Sequence, residues 1–528
     1  MFYQLSMCAD DPDNLQLAVN SFERCLRDGL TQVVSIDDFA GWYSATTGRP
    51  CCGPVTIVGI MLLQARYNLS DPEILSRMLR DRAFRYALRL DGPHQKPPSL
   101  TVYRTFRKTL RERMGADFIH NNVLKLASSR GLIPDVELQA QDSSHTRCRG
   151  AQLDTFNLIA AAIRAVIREV AHDIGQRPAA LAAEWEMSRY LGRSVKGQVE
   201  VDWSSEAERN RLLTEEVQDA DRLPQLVAAA TAAAGAKLSP TVTQAISLAQ
   251  QVAHQDVERL DDGTYKIKRG TAKGRVVSVS DPEARHGRKS RSKPIVGFKH
   301  HVQSTLQSLF VTGIVITDAG AHDSAPSPEL LDQSVVVDLK PDEVVGDLAY
   351  GTGANIRGCA AKGVAVLTKV SGASRGDCLA KSKFMINLEN MAVTCPEGHT
   401  TTEHTWVSGG ADTEERVANF KFPKATCQAC PLAHLCNSQT RKGGRRSVKL
   451  SVYEPEFQRM KEFNATPRAK GVLRARSAIE RLISHLVRMG LRQAKYFGRI
   501  NVQYQALMTA AAYNLQRIFT LMVATQPA

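Results

Sequence analysis

The 528-residue sequence predicts a mixed α/β protein whose sheet core is interrupted by one helical and one cysteine-rich segment. Three observations carry that prediction. Apolar residues recur at helical spacing toward both ends, short alternating stretches ending in aspartate lie between them, and one segment concentrates closely spaced cysteines.

From about residue 35 to 130 the chain reads as helices. Ile57, Ile60, Met61 and Leu63 begin an apolar face, and Ser70, Asp71, Pro72 and Glu73 have the spacing of a capping box ahead of Leu75, Met78 and Leu79. A second start after Pro97, Pro98 and Ser99 leads to Tyr103, Phe106 and Leu110 on one side, surrounded by Arg104, Arg107, Lys108, Arg111 and Arg113. Residues 1–130 are thus expected to form a basic helical domain, either a solvated scaffold or a nucleic-acid-binding unit.

Val136 to Asp142 alternates apolar and polar residues as a half-buried strand does, with the aspartate at its end, so residues 131–149 are read as the first strand of the core. Phe156, Ile159, Ile163, Val166, Ile167 and Val170 then return to helical spacing, and an alanine-rich stretch follows from Leu223 to about Val257. Residues 150–265 are read as a helical insertion. Strands are expected again at 275–279, 296–302 and 309–316, a short helix at 326–331, a strand at 343–347 ending in Asp347, a helix at 353–362 and a strand at 364–367. Residues 266–384 therefore continue the core, which helical crossovers make a mixed sheet. The cysteine-rich segment occupies 385–450, and residues 451–528 supply helices at 467–489 and 502–523, the last apolar enough to close the core.

Hydrophobic residues make up 43% and charged residues 23% of the chain, ordinary values for a globular protein. No apolar run approaches the roughly 20 residues that span a bilayer, so no membrane partner is expected. The start, Met1 to Asn14, lacks the basic and apolar parts of a secretory signal, which predicts a cytoplasmic, reducing location. The formal charge of +14 favours a polyanionic partner, because neutralising phosphates releases counterions.

Two constellations can carry chemistry. Asp142 and Asp347 each close an expected strand, and Glu480 lies on a later helix with Arg474, Arg476, Arg481 and Arg488. Three carboxylates at one sheet edge would bind two hard cations through oxygen, with arginines anchoring phosphate. Acids at strand ends also cap helices or face water, and Asp154 and Asp281 compete with Asp142 for the first position. The second constellation is Cys427, Cys430 and Cys436, which Cys395 completes across a loop into a four-thiolate set suited to structural Zn²⁺. An iron–sulfur cluster or unligated thiols are the alternatives, and His399 or His434 could replace one cysteine. Arg441, Lys442, Arg445 and Arg446 follow the cluster as a basic loop that could meet DNA.

The string from Val345 to Tyr350 resembles the second-aspartate motif of bacterial insertion-sequence transposases, and Arg476 to Glu480 resembles the arginine and glutamate signature around their third acid. Asp281 to Arg285, Gly297 to Lys299, Thr317 to Ser324 and Gly490 to Arg492 match as well, and the layout is most similar to the eleven-eighty-two group. Leu473 stands where relatives often carry a tyrosine, and Val487, beside Arg488, where they carry a basic residue. The resemblance implies a DDE transposase with a ribonuclease-H-like core. Asp142, Asp347 and Glu480 would hold two Mg²⁺ or Mn²⁺ ions and cleave and join double-stranded DNA at terminal inverted repeats and a target site. It further implies an end-binding N-terminal domain carrying Arg104 and Arg107, with Lys299, Arg476 and Arg488 also on DNA. A homodimer or higher oligomer associated with the nucleoid would do the work. The competing reading is a domesticated, non-catalytic DNA-binding protein with a zinc module.

Overall fold

A computed structural model describes residues 17–42, 52–90, 96–134, 137–290, 292–370, 379–408, 416–436 and 444–524. Val136, the expected start of the first strand, and the basic residues Arg441 and Lys442 lie outside the described residues.

The N-terminal part is helical: α1 (Phe22–Val33), α2 (Pro54–Arg66), α3 (Asp71–Arg80), α4 (Arg82–Ala87), α5 (Leu100–Met114) and α6 (Phe118–Ser129). The capping box forms as its spacing predicts, with Glu73 N donating to Ser70 Oγ at 3.4 Å and Ser70 N to Glu73 Oε2 at 2.8 Å. Tyr103, Phe106 and Leu110 of α5 are buried, whereas Leu79, one of the apolar residues of α3, faces solvent. These helices share one apolar core with Met508, Ala511, Leu515 and Ile518 of the last helix, Arg499–Ala524. Helices α1–α6 and the last helix therefore share one core.

The main sheet contains β1 (Gln139–Arg147), with β2 (Val257–Arg259) and β3 (Tyr265–Ile267) forming a separate hairpin before β4 (Arg285–Ser290), β5 (Lys293–Thr305), β6 (Val311–Asp318), β7 (Glu343–Val345) and β8 (Ala365–Leu367). Its order is β5, β1, β7, β8, with β4 and β6 both on the free side of β5. β1 runs antiparallel to β5 and parallel to β7. A buried amide ladder locks this register: Gln141 Nε2 donates to Gln303 Oε1 at 2.7 Å, Gln303 Nε2 to Gln139 Oε1 at 2.8 Å, and Thr312 Oγ1 to the same oxygen at 2.6 Å. A slip by one residue would strand these amides, so the pairing is specified by polar rather than apolar groups.

Two sequence expectations need correction here. β1 does not end at Asp142 but continues to Arg147, because the long β5 keeps pairing as far as Gly297 and buries His145 and Thr146 despite their polarity. No strand forms over 275–279. Val276 and Val277 are buried there without a ladder, and Gln255 satisfies the Val276 backbone from its side chain, with N–H to Oε1 at 2.9 Å and Nε2 to carbonyl at 3.0 Å.

Between β1 and β4 stand α7 (Thr155–Asp173), α8 (Pro178–Glu184), α9 (Glu206–Ala234) and α10 (Pro240–Gln255), packed with the β2–β3 hairpin around their own apolar core. The alanine-rich stretch is broken between α9 and α10 at Gly235, which takes the left-handed conformation (φ 61°) that ends α9. Inside this core Glu216 is 0% exposed and neither carboxylate oxygen has a partner. Burial pushes its carboxyl up to about 9, so it is held neutral at pH 7. An acid whose folded pKa lies above its unfolded one stabilises less as pH rises from the unfolded value toward the folded one. Glu216→Gln, which has no proton to hold, is expected to match wild type near pH 4.5 and to exceed its stability by about 3 kcal/mol at pH 7. Chemical denaturation at several pH values measures this; parallel pH profiles for the two proteins would refute it.

After β6 come α11 (Ser327–Val336) and α12 (Gly353–Ala361), the crossovers that flank β7. The cysteine-rich segment folds as two small three-stranded sheets. One contains β9 (Met385–Asn387), β10 (Ala392–Thr394) and β11 (Thr400–Thr401); the other contains β12 (His404–Ser408), β13 (Arg416–Lys421) and β14 (Ser447–Ser451). The short helices α13 (Lys424–Gln428) and α14 (Ala433–Cys436) lie between β13 and β14 in sequence. Then follow α15 (Glu454–Asn464), α16 (Pro467–Ala475), α17 (Ser477–Leu486) and α18, the Arg499–Ala524 helix. α18 covers the exposed edge of β6 with amide side chains. Gln503 Oε1 accepts from Ile316 N at 2.7 Å and Asn514 Oδ1 from Val311 N at 2.9 Å, so the edge cannot recruit another strand. Among the described residues no helix is long and apolar enough to cross a membrane.

Candidate active site

The parallel pair β1 and β7 parts company after Ala140 and Val345, the last residues in register. Asp142 and Asp347 each lie two residues beyond that point, at the same level of the sheet where the strands separate. Asp347 is held there by its own turn: its Oδ1 accepts from Ala349 N at 2.9 Å and caps the short 3₁₀ turn Leu348–Tyr350. Asp142 points to the face covered by α17, whose residues Ala478, Ile479 and Leu482 share a core with Ala140. That packing delivers Arg476 and Glu480, one helical turn apart on α17's first turn and its cap.

Arg476 lies between two of the acids. Its Nη1 is 3.2 Å from Asp142 Oδ2 and its Nη2 is 2.6 Å from Glu480 Oε1. Burial pushes the Asp142 carboxyl up to about 6; the Asp347 and Glu480 charges add to the rise, and Ser143 N–H and Arg476 oppose it. The half-buried Asp142 thus feels the charges of the other two carboxylates named by the sequence. The three acids are not gathered into ready ligand geometry, since among the described residues no three His, Cys, Asp or Glu side chains form a group able to hold a metal ion.

The two competing aspartates serve other ends. Asp154 caps α7 by accepting from Asn157 N at 3.3 Å and pairs with Lys196, while Asp281 is buried and accepts from Gly498 N at 3.0 Å.

A fourth acid, Asp323, escaped sequence reasoning although it lies in the Thr317 to Ser324 string. Its Oδ1 accepts from Ser143 Oγ at 2.8 Å and from Lys299 Nζ at 2.7 Å, which ties the loop after β6 to the residue next to Asp142. Its only sequence signal was an acid five residues beyond a strand end. Lys299, expected on DNA, is instead buried in this ion pair, with a further bond to Ala321 O at 2.6 Å.

The other basic residues divide similarly. Arg107 is held by Asp71 through bonds of 2.6 and 3.0 Å and by Tyr496 Oη at 3.0 Å, stacked on the Tyr496 ring, so it joins α5 to the segment before α18. Arg104 also pairs with Asp71 but is half exposed. Arg446 is turned inward onto Cys436 O at 3.1 Å and Leu379 O at 2.8 Å, whereas Arg445 and Arg488 face solvent.

The four cysteines lie together. Cys395, Cys427, Cys430 and Cys436 line one cavity of about 30 Å³ with His399 and Arg446, and none is in a disulfide. Burial pushes the Cys436 thiol up, Arg446 opposes, and the other three cysteines add to the rise, as expected for sulfurs that face one another. Arg446 N donates to Cys427 Sγ at 3.4 Å. The four are soft donors, but as placed no three of them, like no three acids, form a group able to hold a metal ion among the described residues. His434 does not line the cavity.

Two family models match the chain. One, described as a transposase DDE domain, covers residues 394–519 and so includes Glu480 and most of the cysteine segment; the other, described as a transposase domain, covers residues 18–109. No curated protein and no solved structure matches.

Proposed function

We propose that the chain, which models of two transposase domains match over residues 394–519 and 18–109, is a DDE transposase of an insertion sequence that cleaves and joins DNA at the element's terminal inverted repeats with Asp142, Asp347 and Glu480 as the metal-binding acids. The observation that supports this most is that Asp142 and Asp347 lie at one level where β1 and β7 separate, with Arg476 bonded to both Asp142 and Glu480. Mg²⁺ or Mn²⁺, two ions, would bind there and stabilise both the attacking and the leaving oxygen of phosphoryl transfer. The donors fit such ions in kind, since all are carboxylate oxygens. Arg476 bonds to two of the acids and, with a DNA phosphate at hand, would turn to it, because a guanidinium binds phosphate and carboxylate with the same fork geometry.

The mixed sheet, with antiparallel β6, β5 and β1 followed by parallel β7 and β8, supports a ribonuclease-H-like core. The separate core of α7–α10 supports reading that unit as an insertion. DNA-end contact is assigned to the exposed face of α5, with Arg104 and Lys108, and to Arg445 and Arg488. Structural Zn²⁺ would sit among Cys395, Cys427, Cys430 and Cys436. Joining two ends at once calls for at least two copies on DNA. The deciding experiment is a nicking assay on a duplex bearing the element's terminal repeat, in which cleavage at the repeat boundary that requires Mg²⁺ or Mn²⁺ is expected. Specific binding with no metal-dependent cleavage would favour a non-catalytic DNA-binding protein instead.

A further inference from the structure

One edge of β1 stays paired with β5 as far as Arg147, but its other edge changes partner. β7 pairs there only at Gln139 and Ala140, and the next chain on that edge is the segment after α17, whose Gln493 bridges to Arg147 in parallel. Arg147 N donates to Arg492 O at 3.0 Å and Ala494 N to Arg147 O at 2.9 Å, so residues 492–494 take up the line that β7 has left. Gly490 makes the turn that brings them there: its φ is 110°, and an added Cβ would collide with the Asn68 side chain. The segment is held from both sides. Thr146 Oγ1 donates to Leu491 O at 2.8 Å, while Gln505 of α18 donates to Gln493 O at 3.0 Å and accepts from Lys495 N at 2.8 Å.

From this support Arg492 reaches back along β1 toward Asp142. Its Nη1 donates to His145 O at 3.2 Å and stands 3.5 Å from Ser144 Oγ. Ser144 shares the Asp142 face of β1 and lies two residues on, roughly 7 Å along the strand. The Arg492 side chain is exposed, and among the described residues no carboxylate pairs with it. Its neighbours differ in this respect, since Arg476 is bonded to Asp142 and Glu480, and Lys299 to Asp323.

We propose that Arg492 binds a backbone phosphate of the strand being cut, within two nucleotides of the scissile one. This rests on the reading of Asp142, Asp347 and Glu480 as the metal-binding acids, which puts the scissile phosphate beside Asp142. The offset along β1 is that of about two nucleotides at a rise of ~3.4 Å each. A guanidinium fork fits two phosphate oxygens, and such charge-assisted bonds are stronger than the bond to a neutral carbonyl that Arg492 makes here. Arg476 must leave two acids before it takes a phosphate, whereas Arg492 gives up only that carbonyl.

The test uses the full-length chain and terminal-repeat duplexes in which the phosphates flanking the scissile one, up to two nucleotides to either side, are replaced one at a time by uncharged methylphosphonates. Nicking and gel-shift affinity are measured for wild type, Arg492→Ala, Arg492→Lys and Asp347→Asn, with thermal midpoints alongside. One of the neutral linkages is expected to lower wild-type kcat/KM about 10- to 100-fold, the worth of a hydrogen bond to a charged group. Arg492→Ala should show a loss of the same size on native DNA and no further loss at that linkage. Its DNA affinity should fall less steeply with salt, by about one unit of the log–log slope. Arg492→Lys, which keeps the charge without the fork, should recover part of the loss. Equal penalties in wild type and Arg492→Ala at every linkage would overturn the proposal, as would unchanged kcat/KM per folded chain in Arg492→Ala, whatever its midpoint. If Asp347→Asn loses nicking while Arg492→Ala behaves as wild type, the role of Arg492 falls and the acid site stands. Normal nicking by Asp347→Asn would overturn the acid site and this inference together.

Discussion

Asp347→Asn is expected to bind a terminal-repeat duplex about as tightly as wild type and to cleave it on the order of 10³-fold more slowly, a loss of about 4 kcal/mol of transition-state stabilisation. The substitution isolates charge. An asparagine Oδ1 can accept from Ala349 N as the aspartate does, so the turn that positions residue 347 survives. What disappears is one of the negative charges that a pair of cations requires. End binding depends on phosphate contacts spread over the basic surface and should hardly change. Gel-shift and nicking assays on the same duplex measure both quantities. Wild-type nicking by the variant would remove Asp347 from the chemistry.

The second large effect is expected in the cysteine segment. Wild-type protein purified under reducing conditions should carry about one zinc per chain, and Cys427→Ser with Cys430→Ser should lose it and unfold residues 385–450. The apolar core of this segment is small, built on Phe384, Val393, Ala418, Phe420, Phe422, Val448 and Leu450. Such a core is weak on its own, and structural zinc contributes folding free energy of about 10–16 kcal/mol in small peptides at neutral pH. Cys427 and Cys430 belong to a short helix and the turn after it, while Cys395 follows β10 and Cys436 ends α14, so the metal would tie otherwise separate pieces. Elemental analysis and limited proteolysis report the two effects. Absence of zinc from the wild-type protein would contradict the assignment.

Much of the architecture was legible because its signals are local. The capping box at Ser70, the apolar face of α5 and the long α18 follow from spacing alone, and so do β5, β6 and β7. The end of β1 was not legible, since Ser143 to Arg147 are polar and only the length of β5 buries them. Nor was the loop at 275–279, where a glutamine side chain replaces a neighbouring strand. In the site, the three acids were found by strand and helix position together with resemblance. The levelling of Asp142 with Asp347 depends on strand register, which no local pattern states. The roles of charged residues were harder to read for the same reason. Lys299 and Arg107 look like surface cations in sequence, but their partners, Asp323 and Asp71, are chosen by tertiary packing. Asp323 became visible only once the loop after β6 was seen beside β1.

The acids can be tested in one measurement: an anomalous scattering map, at the manganese edge, of the protein bound to a terminal-repeat end and soaked in Mn²⁺. Two peaks about 4 Å apart are expected between Asp142, Asp347 and Glu480, with Arg476 withdrawn from the carboxylates toward a phosphate. Manganese bound elsewhere, or a guanidinium still bridging Asp142 and Glu480 with no metal between the acids, would contradict the assignment of this site to DNA cleavage.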